Sequence, residues 1–343
     1  MKTSEFDYDL PQELIAQTPL SDRSSSRMMV VHKNSGMLED RIFSDITEYF
    51  RAGDVLVRNN TKVIPARLFG TKEETGAHVE LLLLRQEEDD IWECLAGNAK
   101  VIKPGTVISF HDGRLRAKCV EVREKGLRRM QMIYDGIFNE ILDQLGNVPL
   151  PPYIHEKLND PDRYQTVYAR VRGSAAAPTA GLHFTEEVFA ALRAKGVIIA
   201  DVTLHVGLGT FRPMDTENVE EHDMHEEVYR MSAETAEILN AAKREGRRIF
   251  AIGTTSVRTL ESVWNRFGSF AECTGETKLF IYPGYEWHTI SGMLTNFHLP
   301  KSTLIMMIAS FAGYDLTFAA YRHAVEERYR FFSFGDCMLI TNE

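Results

Sequence analysis

The sequence has few cysteines, and their spacing does not suggest a cysteine-based framework. The four cysteines are Cys94, Cys119, Cys273 and Cys337, which lie far apart and make no CxxC pair. Thiolate zinc sites and disulfide frameworks use clustered or paired cysteines. We therefore expect neither, and we expect these thiols to be reduced and mostly structural.

Long apolar runs are also lacking. The longest candidate, residues 304–312, has about half of the roughly 18 apolar residues that a membrane span needs, and it contains Ser310. The N-terminal residues MKTSEFDYDL contain no apolar core of a secretory signal. We expect no association with a membrane and a cytoplasmic location.

Positive net charge is absent as well. The net charge of −10 argues against a protein that coats nucleic acid indiscriminately. Residues 100–129 nevertheless hold nine Lys or Arg against three acidic residues. This stretch is either a solvated face of β-strands or a local stripe that contacts phosphates. The cations that would make such contacts are Arg114, Arg116, Lys118, Arg128 and Arg129.

The remaining composition is that of a globular protein, with 44% hydrophobic and 26% charged residues in 343, enough for about two domains. Strands are predicted at 27–33 and 54–60, with a helix at 42–50 between them. From 65 to 135, short strands separated by TG, PG and DG turns predict a small antiparallel barrel or sandwich. Residues 136–146 form a closing helix that ends at Gly146 as at a C-cap.

An α/β rhythm resumes in the second half of the chain. The fold class we predict is α/β, a mixed-sheet main domain (1–64 and 153–343) interrupted by an inserted small antiparallel β-barrel domain (65–152). In that half, helices are predicted at 185–196, 232–246, 255–264, 302–312 and from Asp315, and strands at 196–206, 247–253, 278–283 and 337–341.

Polar, glycine-rich segments in the second half each border an apolar stretch. Several loops that end apolar runs in His, Thr, Arg and Gly are typical of one polar site, and therefore indicate an enzyme. The segments are APTAGLHFT (177–185), TLHVGLGTFRP (203–213), EEHDMHEE (220–227), GTTSVRTLES (253–262) and TNFHLPKSTL (295–304).

The segment 253–262 follows a predicted strand and opens a helix. Free N–H groups at a helix N-terminus favour an anion, and Thr254 and Thr255 add hydroxyl donors. Arg258, one turn into the helix, would reach a carboxylate or phosphate. The alternative is an ordinary N-cap, with Arg258 paired to Glu261.

Histidines supply the candidate acid and base. His183 precedes the predicted N-cap Thr185, and the positive helix end would lower its pKa and keep it neutral. His205 and Arg212 bracket a glycine turn that admits a ligand, with Thr210 beside it. A structural histidine and a simple strand-end bend remain the alternatives.

His222 and His225 are three residues apart and would share one face of a helix. With Glu227 they would suit a metal, but the order is not HExxH, so acid–base or substrate hydrogen bonding is favoured. A solvated polar loop is the third interpretation.

Further polar candidates precede an apolar helix or lie at a domain junction. Asn296 and His298 precede the helix at 302–312. Asn59, Asn60 and Arg67 lie where the main domain meets the insert, a usual place for a ligand cleft. A polar hinge is the alternative for the junction.

Taken together, the motifs resemble the bacterial S-adenosylmethionine:tRNA ribosyltransferase-isomerases of queuosine biosynthesis. The resemblance extends from about residue 5 to residue 341, with small departures at Leu208, Phe334 and Cys337. The matching segments are FDYDLPQELIAQTPLSDRSSSRMMVV, NNTKVIPARL, APTAGLHFT, LHVGLGTFRP, EHDMHEE, GTTSVRTLES, TNFHLPKSTLIMMIASFAG and YRFFSFGDCMLI.

This resemblance implies transfer and isomerisation of the ribosyl part of S-adenosylmethionine onto 7-aminomethyl-7-deazaguanine at the wobble position of tRNA. The product is epoxyqueuosine, adenine and methionine are released, and no metal or other cofactor is needed. The fold implied is an α/β domain with an inserted β-barrel. A monomer is expected. The five cations named above in residues 100–129 are then expected to contact the tRNA backbone. The hypothesis is that the five histidines of the polar segments contain the acid and the base. A metal hydrolase and a noncatalytic tRNA-binding module are the alternatives.

Overall fold

The chain divides into two units in the structure, a computed structural model that describes residues 1–207, 214 and 216–342. The sheet unit comprises Met1–Thr61, Pro151–Val171 and Ala177–Glu343. The barrel unit comprises Lys62–Leu150 and Arg172–Ala176.

The strands and helices are numbered in chain order. The strands are β1 (Arg27–His32), β2 (Leu38–Ile42), β3 (Val55–Asn59), β4 (Thr61–Val63), β5 (Arg67–Lys72), β6 (His78–Glu88), β7 (Ile91–Gly97), β8 (Val107–Phe110), β9 (Leu115–Val122), β10 (Leu127–Tyr134), β11 (Val171–Ser174), β12 (Ile198–Leu204), β13 (Glu227–Met231), β14 (Ile249–Ile252), β15 (Cys273–Thr277), β16 (Gly292–Asn296) and β17 (Cys337–Thr341). The α-helices are α1 (Phe138–Leu145), α2 (Glu186–Ala194), α3 (Ala233–Arg244), α4 (Gly253–Phe267), α5 (Thr303–Ala312) and α6 (Tyr314–Glu326).

The sheet unit is built around a mixed sheet with the strand order β15-β13-β12-β3-β14-β16-β17-β1-β2. Pairing is parallel for β12–β3, β3–β14, β14–β16 and β17–β1, and antiparallel for the remaining neighbours. Strands from both ends of the chain therefore share one sheet. The predicted mixed-sheet α/β class is confirmed.

The central strands are buried along their whole length because both faces of the sheet are covered. Every residue of β3, β14, β16 and β17 is buried. Under one face, Phe184 stacks on Phe189 at 4.7 Å between ring centroids, and Phe43 meets Phe184 edge-on at 4.8 Å. Each fully buried side chain of this size contributes about 1.5–3 kcal/mol, so this layer fixes the loops that leave the sheet.

Two predicted elements differ from the structure. Residues Phe43–Tyr49 form a 3-10 helix and not an α-helix, although Phe43 and Ile46 are buried as the spacing requires. The strand predicted at 278–283 is wrong, because the edge strand is β15, whose residues alternate between partly buried and exposed. A half-exposed edge strand needs no continuous apolar run, and the apolar residues that follow it attracted the prediction.

The barrel unit is a closed antiparallel barrel, as predicted. Its strand order is β10-β7-β6-β5-β8-β9. Alternate residues of β9, including Leu115, Ala117 and Cys119, point inward and are buried. The glycine after α1 serves packing and not a left-handed cap. Gly146 has φ −82°, and a Cβ there would lie 1.9 Å from the carbonyl oxygen of Pro65.

The apolar helix α5 begins at the N-cap Ser302, whose hydroxyl accepts a hydrogen bond from the backbone N–H of Ile305. It is almost entirely buried. Among the helices in the described residues, none has by itself the length and hydropathy of a membrane span. The helices α5 and α6 reach both only as a pair bent by 118°.

Candidate functional site

A cavity of about 70 Å³ lies in the sheet unit, bordered by the N-terminal ends of α4 and α5. We call it the helix-end pocket. Both helices present backbone N–H groups and the positive end of their dipole to it. Its walls combine alanines, a proline and a phenylalanine with polar side chains. The polar residues most relevant to chemistry are Tyr153, Thr254, Thr255, Thr295, Asn296 and His298.

The start of α4 is arranged to receive an anion. Gly253 has φ +80°, which turns the chain from β14 directly into the helix, and no side chain caps this N-terminus. Thr254 and Thr255 follow, each 8% exposed. In the part of the chain that the structure describes, the buried hydroxyl of Thr255 has no hydrogen-bond partner. A buried donor without a partner is costly, and uncapped helix N–H groups favour an anion, so the two features point to one ligand group.

Arg258 does not reach the helix-end pocket. It is 3% exposed, and its guanidinium donates to the carboxylate of Glu227, which also accepts from the backbone N–H of Gly207 at 3.1 Å. The alternative partner, Glu261, instead accepts from the backbone N–H of Thr289 at 3.0 Å. The predicted ligand roles of Arg258 and Glu227 are therefore replaced by a buried ion pair that ties α4 to β13.

His298 lines the helix-end pocket and lies between β16 and α5. Its Nε2 is 2.7 Å from the hydroxyl of Thr295, and its backbone N–H donates to the hydroxyl of Tyr321 at 3.0 Å. Burial lowers the pKa of His298 to about 3. The imidazole is therefore neutral at physiological pH and held in a fixed orientation.

His183 is joined to the helix-end pocket through Asn296. The amide of Asn296 donates to the backbone carbonyl of Phe332 at 2.7 Å, so its oxygen faces His183 Nε2 at 3.2 Å. Nε2–H then donates to Asn296, and Nδ1 accepts from the hydroxyl of Ser26 at 2.8 Å. Burial lowers the pKa of His183 to about 4. The direction agrees with the prediction, but the principal cause is burial and not a helix end.

The other predicted histidines lie outside the walls of this pocket. His205 Nδ1 is 2.8 Å from the hydroxyl of Thr61, and burial lowers the pKa of His205. His222 packs edge-on against the ring of Phe280 at 5.5 Å. Within the described structure, residues 222–226 have no regular secondary structure, so His222 and His225 do not share a helix face. No group of three or more His, Cys, Asp or Glu in the described ranges is placed to hold a metal ion.

Several predicted substrate ligands instead hold the sheet together. The amide of Asn59 donates to the carbonyl of Leu204 at 2.9 Å and accepts from its N–H at 3.0 Å, which ties β3 to β12. Asn60 accepts from the hydroxyl of Thr203 at 2.7 Å. Thr185 is the N-cap of α2, as predicted, and accepts from the N–H of Val188. Thr210 and Arg212 lie outside the described residues.

In the barrel unit, the most buried cation is Arg128, which is 6% exposed. Its guanidinium donates to the backbone carbonyls of Ala99, Ile102, Arg123 and Leu127. These contacts use four of the five N–H donors of the guanidinium, so Arg128 is a structural residue of the barrel. Its predicted phosphate contact is corrected on this ground.

The remaining predicted cations of the barrel unit are paired or exposed. Arg129 donates to Glu87 at 2.6 Å and to Glu121 at 3.1 Å. The others are Arg67, 3.1 Å from Glu80; Arg114, 2.5 Å from Gln144; Arg116, 3.9 Å from Glu73; and the exposed Lys118. Tests of tRNA binding therefore centre on Arg114, Arg116 and Lys118.

The sequence interpretation missed several pocket residues. Tyr153 and Ser333 are joined by a 2.6 Å hydrogen bond between their hydroxyls, and both line the helix-end pocket. Thr295 and Ser302 lie inside the segment 295–304, but only Asn296 and His298 were selected there. A hydroxyl residue just before an apolar helix is a signal for an N-cap, which would have marked Ser302. Tyr153 and Ser333 carry no local signal of this kind.

The whole chain is similar to known proteins. The model of a family described as queuosine biosynthesis protein matches residues 3–340. The crystal structure of an S-adenosylmethionine tRNA ribosyltransferase from Thermotoga maritima is 40% identical in sequence, with a TM-score of 0.58. The match covers 98% of this chain and 100% of that chain. Both units of the chain are therefore included in the similarity.

Proposed function

The chain belongs to the queuosine biosynthesis protein family, and we propose that its helix-end pocket binds S-adenosylmethionine for transfer of the ribosyl group to tRNA. The enzyme is a transferase that moves and isomerises the ribosyl part of S-adenosylmethionine onto 7-aminomethyl-7-deazaguanine at the wobble position. The product is epoxyqueuosine, and adenine and methionine are released. S-adenosylmethionine and tRNA are its substrates.

The observation that carries the assignment of the pocket is that, among the described residues, the buried Thr255 hydroxyl has no hydrogen-bond partner and no side chain caps the start of α4 beside it. The methionine part of S-adenosylmethionine carries a carboxylate, which matches N–H donors at a helix N-terminus and a free hydroxyl. The apolar walls formed by Ala177, Pro178 and Phe332 suit the carbon chain next to the carboxylate. The pocket therefore offers hydrogen-bond donors and apolar surface that match the methionine end of this substrate.

Proton transfer is assigned to the histidine that faces this pocket. A base must remove the C5′ proton, which the adjacent sulfonium acidifies, before the ribosyl group moves. His298 is neutral because burial lowers its pKa, and its contact with Thr295 fixes the ring. His183 acts at one remove, since it orients the amide of Asn296 at the pocket wall.

The proposal also covers the oligomeric state, the location and the cofactor requirement of the enzyme. It acts as a monomer in the cytoplasm, where both substrates are found. It needs no metal or other cofactor, because the sulfonium already activates the ribosyl group. Chelation of metals should leave turnover unchanged, and sedimentation should give the mass of one chain.

Free adenine is the product to measure. The protein is incubated with S-adenosylmethionine and tRNA carrying the deazaguanine, and adenine is quantified by chromatography. Turnover should fall steeply in His298→Ala, and His155→Ala should match the unsubstituted protein because His155 is exposed and outside the pocket. If His183, His205, His222, His225 and His298 can each be replaced by Ala with near-normal turnover, the assignment to histidine is wrong.

Thr255 tests the carboxylate contact directly. Thr255→Val keeps the shape of the side chain and removes its hydroxyl, so the KM for S-adenosylmethionine should rise roughly tenfold, the effect of one lost hydrogen bond to a charged group. Thr255→Ser restores the hydroxyl and should restore the KM. An unchanged KM in Thr255→Val would place the carboxylate elsewhere.

A further inference from the structure

A second cavity, of about 30 Å³, lies in the sheet unit on the other side of His183. We call it the arginine cavity, because Arg23 and Arg163 form part of its wall together with Ser26, His183 and Ser333. One water molecule needs roughly 10–15 Å³ of such space. The cavity is therefore of the size of a small polar group, and too small for a nucleoside.

The arginines of this cavity are held by backbone carbonyls and not by carboxylates. Arg23 donates to the carbonyls of Leu182 at 3.2 Å and Asp162 at 3.0 Å. Arg163 donates to the carbonyls of Leu20 and of Ser21, the latter at 3.4 Å. Among the described residues, no carboxylate lies within the 4.0 Å of an ion pair to either guanidinium. The positive charges are thus positioned without being neutralised.

One arginine in the wall of the cavity and one outside it have buried donors without partners. The Nε of Arg163, which lines the cavity, and one terminal nitrogen of Arg330, which does not, are buried and make no hydrogen bond within the described part of the chain. Both Arg23 and Arg330 are close enough to His183 to help lower its pKa. Burial, and then the charge of Arg163, lower the pKa of Arg23.

Among the described residues, the acidic groups whose charge acts on Arg23 and Arg330 form no ion pair with them. Asp160 and Asp162 act on Arg23 from beyond ion-pair distance. Asp336 acts on Arg330, but its carboxylate accepts the backbone N–H groups of Arg27 and Arg330. A cluster of partly buried guanidinium groups that repel one another and retain free donors is stabilised by an anion.

We propose that the arginine cavity binds a phosphate of the RNA substrate. This inference rests on the proposed function, which makes tRNA the substrate. Guanidinium groups match the geometry of phosphate oxygens. The carboxylate of S-adenosylmethionine is assigned to the N-terminus of α4 under the proposed function, so it is not the anion expected in this cavity. Ser333 lines both cavities, and His183 joins Ser26 in one wall to Asn296 in the other. A phosphate bound here would position the RNA against the helix-end pocket.

The first test measures binding of an RNA anticodon stem-loop over a range of salt concentrations. Arg163→Gln should weaken binding roughly tenfold at low salt. It should also lower the slope of log affinity against log salt by about 0.7, the value for one phosphate contact of a single strand. Affinity for S-adenosylmethionine should not change. The matched control is Arg328→Gln, which removes an equal charge from an exposed position of the same unit and should leave RNA binding unchanged.

The second test leaves the protein intact. The phosphates of the stem-loop are replaced one at a time by neutral methylphosphonates, and binding to the unsubstituted protein is measured. Replacement at one phosphate position should lower the affinity of the unsubstituted protein roughly tenfold. The same replacement should not lower the affinity of Arg163→Gln any further. If no position shows this coupling, the proposal is overturned.

The remaining outcomes identify the error. If Arg163→Gln weakens S-adenosylmethionine and leaves the RNA salt slope unchanged, the oxyanion is the methionine carboxylate and the proposal is wrong. If both affinities and the melting temperature fall together, the arginines are only structural. These readouts need no turnover, so a failure to release adenine would overturn the proposed function without bearing on this site.

Discussion

The arginines of the barrel unit and those of the arginine cavity differ in what surrounds them. In the barrel unit, Arg123 and Arg129 share the carboxylate of Glu87, and Arg128 is enclosed by backbone carbonyls. In the arginine cavity, Arg23 and Arg163 have carbonyl contacts but no carboxylate within ion-pair distance among the described residues. The barrel has the higher density of basic residues, yet the cavity has the uncompensated charge. An anion site is marked by missing counter-charge, and not by the number of cations along the chain.

The largest expected effect tests the barrel side of this comparison. Arg128→Met removes the donors that satisfy a set of buried carbonyls, which should destabilise the barrel unit by about 4 kcal/mol. Hydrogen exchange of the amides in β9 and β10 measures the loss. The exposed Arg114 provides the control, since Arg114→Met should change exchange little.

RNA binding by the same variant tests whether Arg128 is structural, as the comparison requires. RNA binding by Arg128→Met, measured where the protein is still folded, should keep its salt slope. A reduced slope at unchanged stability would mean that Arg128 contacts phosphate, and the buried geometry would then not describe the state that binds RNA.

The next effect concerns pH and the cavity side. The pKa of His183 falls from about 6.5 to about 4 on folding, mainly because the ring is buried. The unfolded chain therefore binds the proton first, so the stability from neutral His183 is complete above about pH 6.5 and is lost as pH falls toward 4. The expected loss is on the order of 3 kcal/mol. Urea unfolding from pH 7 to pH 4 measures it.

His183→Gln isolates this contribution from other acid-sensitive groups. Its stability at pH 7 will differ, but its decline between pH 6.5 and pH 4 should be shallower than that of the unsubstituted protein. Parallel declines would show that His183 is not the group that titrates. A phosphate bound beside His183 should make the protonated ring less costly, so inorganic phosphate should also flatten the decline if the arginine cavity binds it.

The smallest effect concerns the partly exposed ion pairs of the barrel. Arg129→Gln removes contacts with Glu87 and Glu121, and solvent-screened pairs of this kind contribute little to stability. The change should weaken at high salt, since screening already reduces the contribution. Thermal melts in low and high salt measure both. A loss comparable to that of Arg128→Met would remove the distinction between the two arginines.

Much of the fold was predictable from local patterns. The strand β14 is a continuous apolar run and β3 begins as one, and α2 and α3 have polar N-caps with acidic first turns, Thr185 and Ser232 being the caps. Two elements differ from the prediction. Residues 43–49 have helical spacing but form a 3-10 helix, and the edge strand β15 was overlooked because its pattern reflects half-exposure at the end of the sheet.

The candidate site was predictable in part. Thr254, Thr255, Asn296 and His298 were selected from their positions before helices, and the structure places all of them in the helix-end pocket. Asn59 was selected because it lies where the main domain meets the insert, but its amide pairs with Leu204, 145 residues away in the chain. Such a partner has no trace in the neighbouring sequence, so the distinction between a ligand and a sheet contact was not visible there.

The sequence by itself determined the alternation of apolar and polar segments, and with it the mixed sheet, the inserted barrel and the resemblance to a family of RNA-modifying transferases. Those properties depend on periodicity, caps and motifs, which are local. Only the tertiary structure decided which polar atoms have a hydrogen-bond or ion-pair partner within the protein. Arg258 is neutralised by Glu227, whereas the hydroxyl of Thr255 and the Nε of Arg163 are buried without partners among the described residues. The reason is that hydrogen bonding and counter-charge depend on neighbours in space, which long-range packing supplies.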